Sequence, residues 1–183
     1  MAIASRVLET ARIQLRPLTL DDAAGLHAAY GDAQVMRFWD GPPTADIAET
    51  AQRIGRSLAV SRKWHAAWGV VLKDTGELAG MVNYHTREPW NHRLTVGWIL
   101  ARPYWRQGLA REAMAALLDH CFTRLDTHRV EAEIEPENTA SIRLAERLGF
   151  QREGVLRDRL LVAGSYRDIH LYGLLRPDWR WPR

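Results

Sequence analysis

Cysteine occurs once in this chain, at Cys121, and lysine only twice, at Lys63 and Lys73. A lone thiol excludes an internal disulfide and any zinc site built on cysteines. Scarce lysine leaves arginine to carry almost all the basic charge, and the arginines alternate with glutamates instead of forming a block. The net charge of +3 therefore suits an anionic small ligand and argues against a nucleic-acid partner. Long apolar runs are missing as well. Nothing approaches the roughly 20 residues that a membrane-spanning helix needs, and the first ten residues lack the apolar stretch of a signal peptide. No repeat or low-complexity linker divides the chain. These absences predict one cytoplasmic domain over residues 1–183, with no membrane partner.

What is present supports a buried core. Hydrophobic residues make up 46% and charged residues 26% of the 183, enough for one core and too little for two comfortable domains. Residues 11–15 alternate apolar and polar and close at Arg16-Pro17, which predicts a first strand. Thr19 to Asp22 offer capping oxygens before a short helix over Ala23 to Tyr30. Gly41-Pro42-Pro43-Thr44 breaks the chain ahead of a longer helix from Asp46 to Ser61. Trp64 to Leu72 and Glu77 to His85 read as a hairpin around Lys73-Asp74-Thr75-Gly76. Arg87 to Arg93 reads as a polar loop, followed by a strand over Leu94 to Leu100. A third helix is predicted from Leu109 to Thr123, with Leu109, Ala113, Ala116, Leu117 and Cys121 on its apolar face. Then come a strand over Arg129 to Glu135, a helix from Thr139 to Leu148, and two strands near 151–161 and 166–175. The order predicts a mixed α/β fold.

The most informative stretch is Thr95 to Phe150. Its first strand runs into Arg106-Gln107-Gly108-Leu109-Ala110-Arg111, where a helix opens. Backbone N–H groups at such a helix start lack intrahelical partners, and the helix dipole favours negative charge there. Gly108 allows close approach of the backbone, so the loop can hold a phosphate or diphosphate. The second strand–helix unit carries Asn138 and Ser141 three residues apart, on one face of the helix start. Both are also good helix N-cap residues without any ligand.

On these residues the chain resembles the GNAT N-acetyltransferase superfamily, and within it the RimJ/RimL-like branch. The resemblance covers nearly the whole length: Glu9 to Pro17, Gly97 to Leu100, Tyr104 to Ala113, Pro136 to Ser141 with Gly149-Phe150, and Asp168 to Trp179. It implies a GNAT-type splayed sheet of about six to seven strands flanked by about four helices. It further implies acetyl-CoA as co-substrate, with no metal, and is compatible with a homodimer. Ile99 and Leu100 would lie along the pantetheine arm, and Arg106, Gln107, Gly108, Leu109, Ala110 and Arg111 would receive the pyrophosphate. Asn138 and Ser141 would sit beside the thioester. Trp105 departs from the superfamily pattern, and Arg106 replaces a residue that is commonly small. Where many relatives carry a tyrosine one turn after Ser141, this chain has Ala145, so Ser141 becomes the partner expected for the leaving thiolate.

The implied reaction is attack of a primary amine, on a protein N-terminus or a small molecule, on the thioester. Its general base is harder to read. Relatives often place a glutamate where this chain has Thr95 or Leu160; Asp158 is nearby, Glu88 is the leading catalytic carboxylate with His85 and Tyr84 next, and a water chain is the alternative to any single side chain. Tyr84 and His85 point to opposite faces of their strand, so only one of them can meet the acceptor. Trp39 and Trp90, both in predicted loops, are expected to line the acceptor pocket with whichever of that pair faces it, while the other tryptophans serve core or interface. Trp179 and Trp181 are expected to pin the C-terminal tail. A non-catalytic acyl-CoA-binding module is the alternative, supported by Thr95 and Leu160.

Overall fold

The computed structural model describes residues 6–61, 63–162 and 164–180. Along the chain they form β1 (Leu8–Glu9), β2 (Ile13–Pro17), α1 (Ala23–Tyr30), α2 (Ala33–Met36) and α3 (Ile47–Ala59). There follow β3 (Ala66–Leu72), β4 (Leu78–Glu88), β5 (Arg93–Leu100), α4 (Leu109–Arg124), β6 (Arg129–Ile134), α5 (Thr139–Arg147), β7 (Gln151–Val162) and β8 (Ser165–Leu175). One sheet takes all eight strands in the order β1-β2-β3-β4-β5-β6-β8-β7. The described residues thus hold eight strands and five helices, one of each beyond the expected upper count. Two short elements account for this: β1 pairs with β2 through Leu8 and Glu9, and α2 is one turn capped by Asp32.

Local chemistry sets the helix starts. Asp46 accepts from the Glu49 N–H at 2.8 Å, while Glu49 accepts from the Ala45 N–H at 2.7 Å. That reciprocal capping begins α3 at Ile47, one residue later than expected. Thr19 and Asp22 form a capping box ahead of α1. Asp22, only 5% exposed, also takes both amino groups of Arg16 at 2.5 and 2.9 Å.

Two cores lie on opposite faces of the sheet. On one, α4 covers Trp68, Tyr84, Leu94, Val96 and Tyr172, with Leu117, Leu118 and Cys121 fully buried against them. Burial also pushes the Cys121 thiol well above its ordinary pKa, so this cysteine is core and not a nucleophile. On the other face, Leu26, Tyr30, Met36 and Ile54 of the helical N-terminal segment pack on Met81 and Ile99. Truncating a fully buried leucine such as Leu117 would cost roughly 2–5 kcal/mol.

The feature that positions the site is the single parallel pair. β5 meets β6 only through Arg93↔Arg129, Leu94↔Val130 and Thr95↔Glu131. Past Thr95, β5 continues to pair with β4 as far as Leu100, and β6 continues to pair with β8 as far as Ile134. The two strands therefore separate and leave a wedge. Its closed end is riveted by charge: Arg93 binds Glu88 and Glu131, and Arg129 binds Glu131 and Glu153. His92 O adds two backbone bonds, from the His128 and Arg129 N–H groups. The rivet occupies the stretch read as a polar loop, because β4 runs on to Glu88 and β5 starts at Arg93.

Candidate active site

The wedge opens toward the loop that links β5 to α4. After a single 3-10 turn, the Trp105 Nε1–H donates to the Leu100 carbonyl at 2.7 Å and folds the loop back on its strand. Arg106 and Gly108 then take φ of 60° and 78°. Gly108 is the N-cap of α4 and provides no capping side chain, so no side-chain oxygen of the cap competes for the first N–H groups of the helix. A Cβ at Gly108 would meet only Arg12 Nη2, at 3.4 Å, so its φ, rather than crowding, is what demands glycine.

Arg12, in the bend just before β2, holds this loop. Its Nη1 donates to the Gln107 carbonyl at 2.9 Å, and its Nε and Nη2 both reach Glu112 Oε2 at 2.7 Å. The second oxygen of Glu112 accepts from the Thr10 hydroxyl at 2.6 Å and the Arg12 N–H at 2.9 Å. Burial pushes the Glu112 carboxyl upward, but these bonds from Thr10 and Arg12 outweigh it and hold the group below the usual carboxylate range. This clamp joins residues 100 apart in sequence and was not read there.

Within the wedge lies a cavity of about 110 Å³. Its walls are Gly97 and Trp98 of β5, Glu133 of β6 with Glu135 just beyond it, and Asn138 and Ser141 at the start of α5. Phe38 and Trp39 close it from the segment after α2, and Leu160 and Ile169 from the β7–β8 hairpin. Asn138 Oδ1 accepts from the Ser141 N–H at 3.2 Å, so the cap of α5 is Asn138 itself. The Ser141 hydroxyl has no protein partner among the described residues, and Ser141 is one of the residues that line the cavity. Glu131, Glu133 and Glu135 share one face of β6 and its extension, while Val130, Ala132 and Ile134 are buried on the other. Each is met by arginine: Glu133 by Arg159 at 3.2 Å, and Glu135, only 5% exposed, by Arg167 at 2.9 Å.

A strand edge left open beside a glycine-capped helix start can take an extended ligand that carries a phosphate, and sequence comparison gives the family. A family model described as the acetyltransferase (GNAT) domain matches residues 12–151. The chain belongs to the GNAT acetyltransferase family. It is 34% identical over 173 residues to the uncharacterized N-acetyltransferase p20 of Bacillus licheniformis, covering 94% of this chain and 97% of that one. The spermidine N(1)-acetyltransferase of Escherichia coli strain K12 is 27% identical over 156 residues, 85% of this chain and 82% of that one. A solved GCN5-related N-acetyltransferase from Brucella melitensis matches at TM-score 0.87 and 27% identity, over 96% of this chain and 80% of that one. A ribosomal-protein alanine N-acetyltransferase is also among its relatives, in keeping with the RimJ/RimL-like branch.

The GNAT fold sorts the residues expected to act. Ile99 and Leu100 are buried on opposite faces of the sheet, so only their main chain meets the wedge, and the Leu100 carbonyl is already taken by Trp105. Trp39 lines the cavity. Tyr84 does not: it is 1% exposed and packs on Trp68 in the core beneath α4, with ring centroids 5.8 Å apart. His85 takes the opposite face, where burial lowers its pKa against the opposing pull of Glu133 and Asp40. Trp90 sits 66% exposed at the riveted end, edge-on to Trp64 at 5.5 Å, and is no part of the cavity wall. Glu88 is part of the rivet. Arg93 and then Asn91 bond its carboxylate and lower its pKa, which makes it a poor proton acceptor and occupies both its oxygens.

Several cavity residues went unread in the sequence, among them Phe38, Gly97, Glu133 and Glu135. The alternation of glutamates along 131–135 was the one signal available for two of them. Leu160 does reach the cavity, whereas the Asp158 N–H is bonded to Asp168 Oδ1 at 2.9 Å in the hairpin. Trp179 is partly buried against Phe122 at 6.1 Å, and Trp181 lies outside the described residues. Among the described residues no group of three His, Cys, Asp or Glu side chains could hold a metal ion. None of their helices is long and apolar enough to cross a membrane.

Proposed function

We propose that this protein moves the acetyl group of acetyl-CoA to a primary amine. Acetyl-CoA supplies the activated acyl group, and the chain fits it in three ways. The α4 start, with Gly108 as an N-cap without a side chain, suits the diphosphate. The β5 edge beyond Thr95 has no strand partner on its β6 side and offers main-chain donors to the pantetheine and to the thioester oxygen. The Ser141 hydroxyl lies on the cavity wall, where it can donate to a leaving thiolate. The observation that carries the proposal is the divergence of β5 from β6 directly upstream of that helix start.

The acceptor enters past Phe38 and Trp39, whose rings suit the carbon skeleton of an amine. Glu133 is the carboxylate on the cavity wall and takes the proton-accepting role first read for Glu88, with His85 behind it as a second acceptor of protons. The acceptor is a peptide N-terminus or a small amine; the likeness to a spermidine acetyltransferase supports testing both. Purified protein, given acetyl-CoA with alanine- and serine-initiated peptides, spermidine and simple alkylamines, should release thiol and yield acetylated amine by mass spectrometry. Tight binding of CoA without turnover of any amine would instead favour an acyl-CoA-binding module.

A further inference from the structure

Asn83 is buried on β4 at 9% exposure, and its Oδ1 has no hydrogen-bond partner among the described residues. Such an orphan is uncommon, because a buried amide oxygen without a donor destabilises the fold. Its surroundings explain where a donor would come from. Asn83 stands directly across from Gly97 in the β4–β5 register. A Cβ built on Gly97 would lie 2.7 Å from Asn83 Oδ1 and 3.7 Å from Trp39 Cη2. The missing side chain at Gly97 therefore leaves a notch with the amide oxygen on one side and the indole on the other. Gly97 and Trp39 both line the cavity. The neighbours of Asn83 on its own face are Met81, which is apolar and packed in the core, and His85, whose pKa is lowered by burial.

We infer that Asn83 Oδ1 recognises the amino group of the acceptor, accepting one of its N–H bonds while the nitrogen lone pair is turned toward the donor side of the wedge. The inference rests on the acetyl-transfer reading and deepens it by naming a residue that determines acceptor specificity. A primary amine keeps a hydrogen for Asn83 and fits the notch at Gly97. An N-methylated amine has a single N–H: given to Asn83, it leaves the methyl group where the second hydrogen faced the base, and given to the base, it leaves the methyl against the buried oxygen. A site built around a buried polar group rejects a ligand that leaves the group unpaired, so the notch selects primary over secondary amines.

Two matched pairs test this: an alanine-initiated peptide against its N-methylalanine counterpart, and butylamine against N-methylbutylamine, each with saturating acetyl-CoA. The wild type is expected to prefer the primary member by about tenfold in kcat/KM, the worth of one buried hydrogen bond. Asn83→Ala should remove most of that preference and raise the acceptor KM, while the Kd for acetyl-CoA stays unchanged. Gly97→Ala, which fills the notch, should raise the acceptor KM about as much. In the double variant the two effects should fall short of additive, since the added methyl no longer meets the oxygen. An unchanged preference in a folded Asn83→Ala protein that still acetylates amines would overturn the Asn83 assignment alone. Loss of stability with no change in acceptor preference would do the same and make Asn83 a purely structural residue. A wild type that acetylates no amine would overturn the acetyl-transfer reading first, and this inference with it.

Discussion

The two sides of the wedge are made of different material. The proposed donor side is nearly continuous in sequence: the β5 edge, the loop to Gly108, the start of α4, and the Asn138–Ser141 turn. It offers mainly main-chain groups. The proposed acceptor side is assembled from separate segments: Phe38 and Trp39, Gly97, Glu133 and Glu135, and Leu160 with Ile169 line the cavity, and Asn83 and His85 of β4 are proposed to act with them. Main-chain recognition tolerates side-chain change, so Trp105 and Arg106 can depart from the superfamily pattern without disturbing the helix start. Side-chain recognition does not, and each acceptor residue is free to differ between relatives that share a donor.

The contrast is broken most sharply at Gly108. Valine there would force a β-branched residue to φ near 78°, a strain of roughly 1–3 kcal/mol, and would obstruct the diphosphate approach. Acetyl-CoA affinity by calorimetry should fall about 100-fold or more; unchanged affinity would remove the donor assignment.

Glu133→Gln comes next and should act on the other side only. Turnover should drop by about 100-fold, the range of general-base removal, with acetyl-CoA affinity intact. An equal loss in Glu88→Gln and none in Glu133→Gln would return the role to Glu88. Ser141→Ala should cost about tenfold in kcat with little change in acetyl-CoA Kd, the scale of one hydrogen bond to a charged group. If rates hold, Ser141 serves only the start of α5.

A smaller effect is expected from the clamp behind the donor loop. Arg12→Ala should weaken acetyl-CoA binding several-fold, about the worth of one or two partly exposed bonds, without altering the acceptor KM. The clamp also has a pH signature. The Glu112 pKa is depressed, so its contribution is complete above the ordinary carboxylate pKa and is lost as pH falls through the lower folded value.

The smallest effect concerns stability in mild acid. Burial holds His65 and His85 below their ordinary 6.5. The unfolded chain therefore takes up protons first as pH falls, so stability is complete above about 6.5 and declines below it toward the folded values. The Tm should follow that course, and His85→Asn should flatten it.

Particular residues show why one side was legible and the other was not. Gly108 and Asn138 could be placed because a glycine before an apolar-periodic run and an Asn at a helix start have local physical meanings. Glu88 could not be judged locally. It stands in a polar stretch with a proline and a tryptophan, which reads as loop, yet Arg93 and Glu131 draw it into a sheet and an ion network. Tyr84 and His85 were reduced to a choice by strand alternation, but which one faced the acceptor depended on where α4 lay. Arg12 and Glu112, and Asn83 and Gly97, are pairs that meet only across strands or between a strand and a helix, so no spacing along the chain announces them.

The amino-acid sequence by itself determined the helix starts proposed to hold the donor: apolar periodicity, a glycine helix cap and an Asn cap are local, and the groups they present belong to the backbone. Only the tertiary structure makes the wedge in which the acceptor and the proton path are proposed to lie. Those depend on β5 and β6 parting after Thr95 and Glu131, and on which side chains from distant segments then face the gap. Long-range strand register sets both, and it answers to the packing of the whole sheet rather than to any one segment.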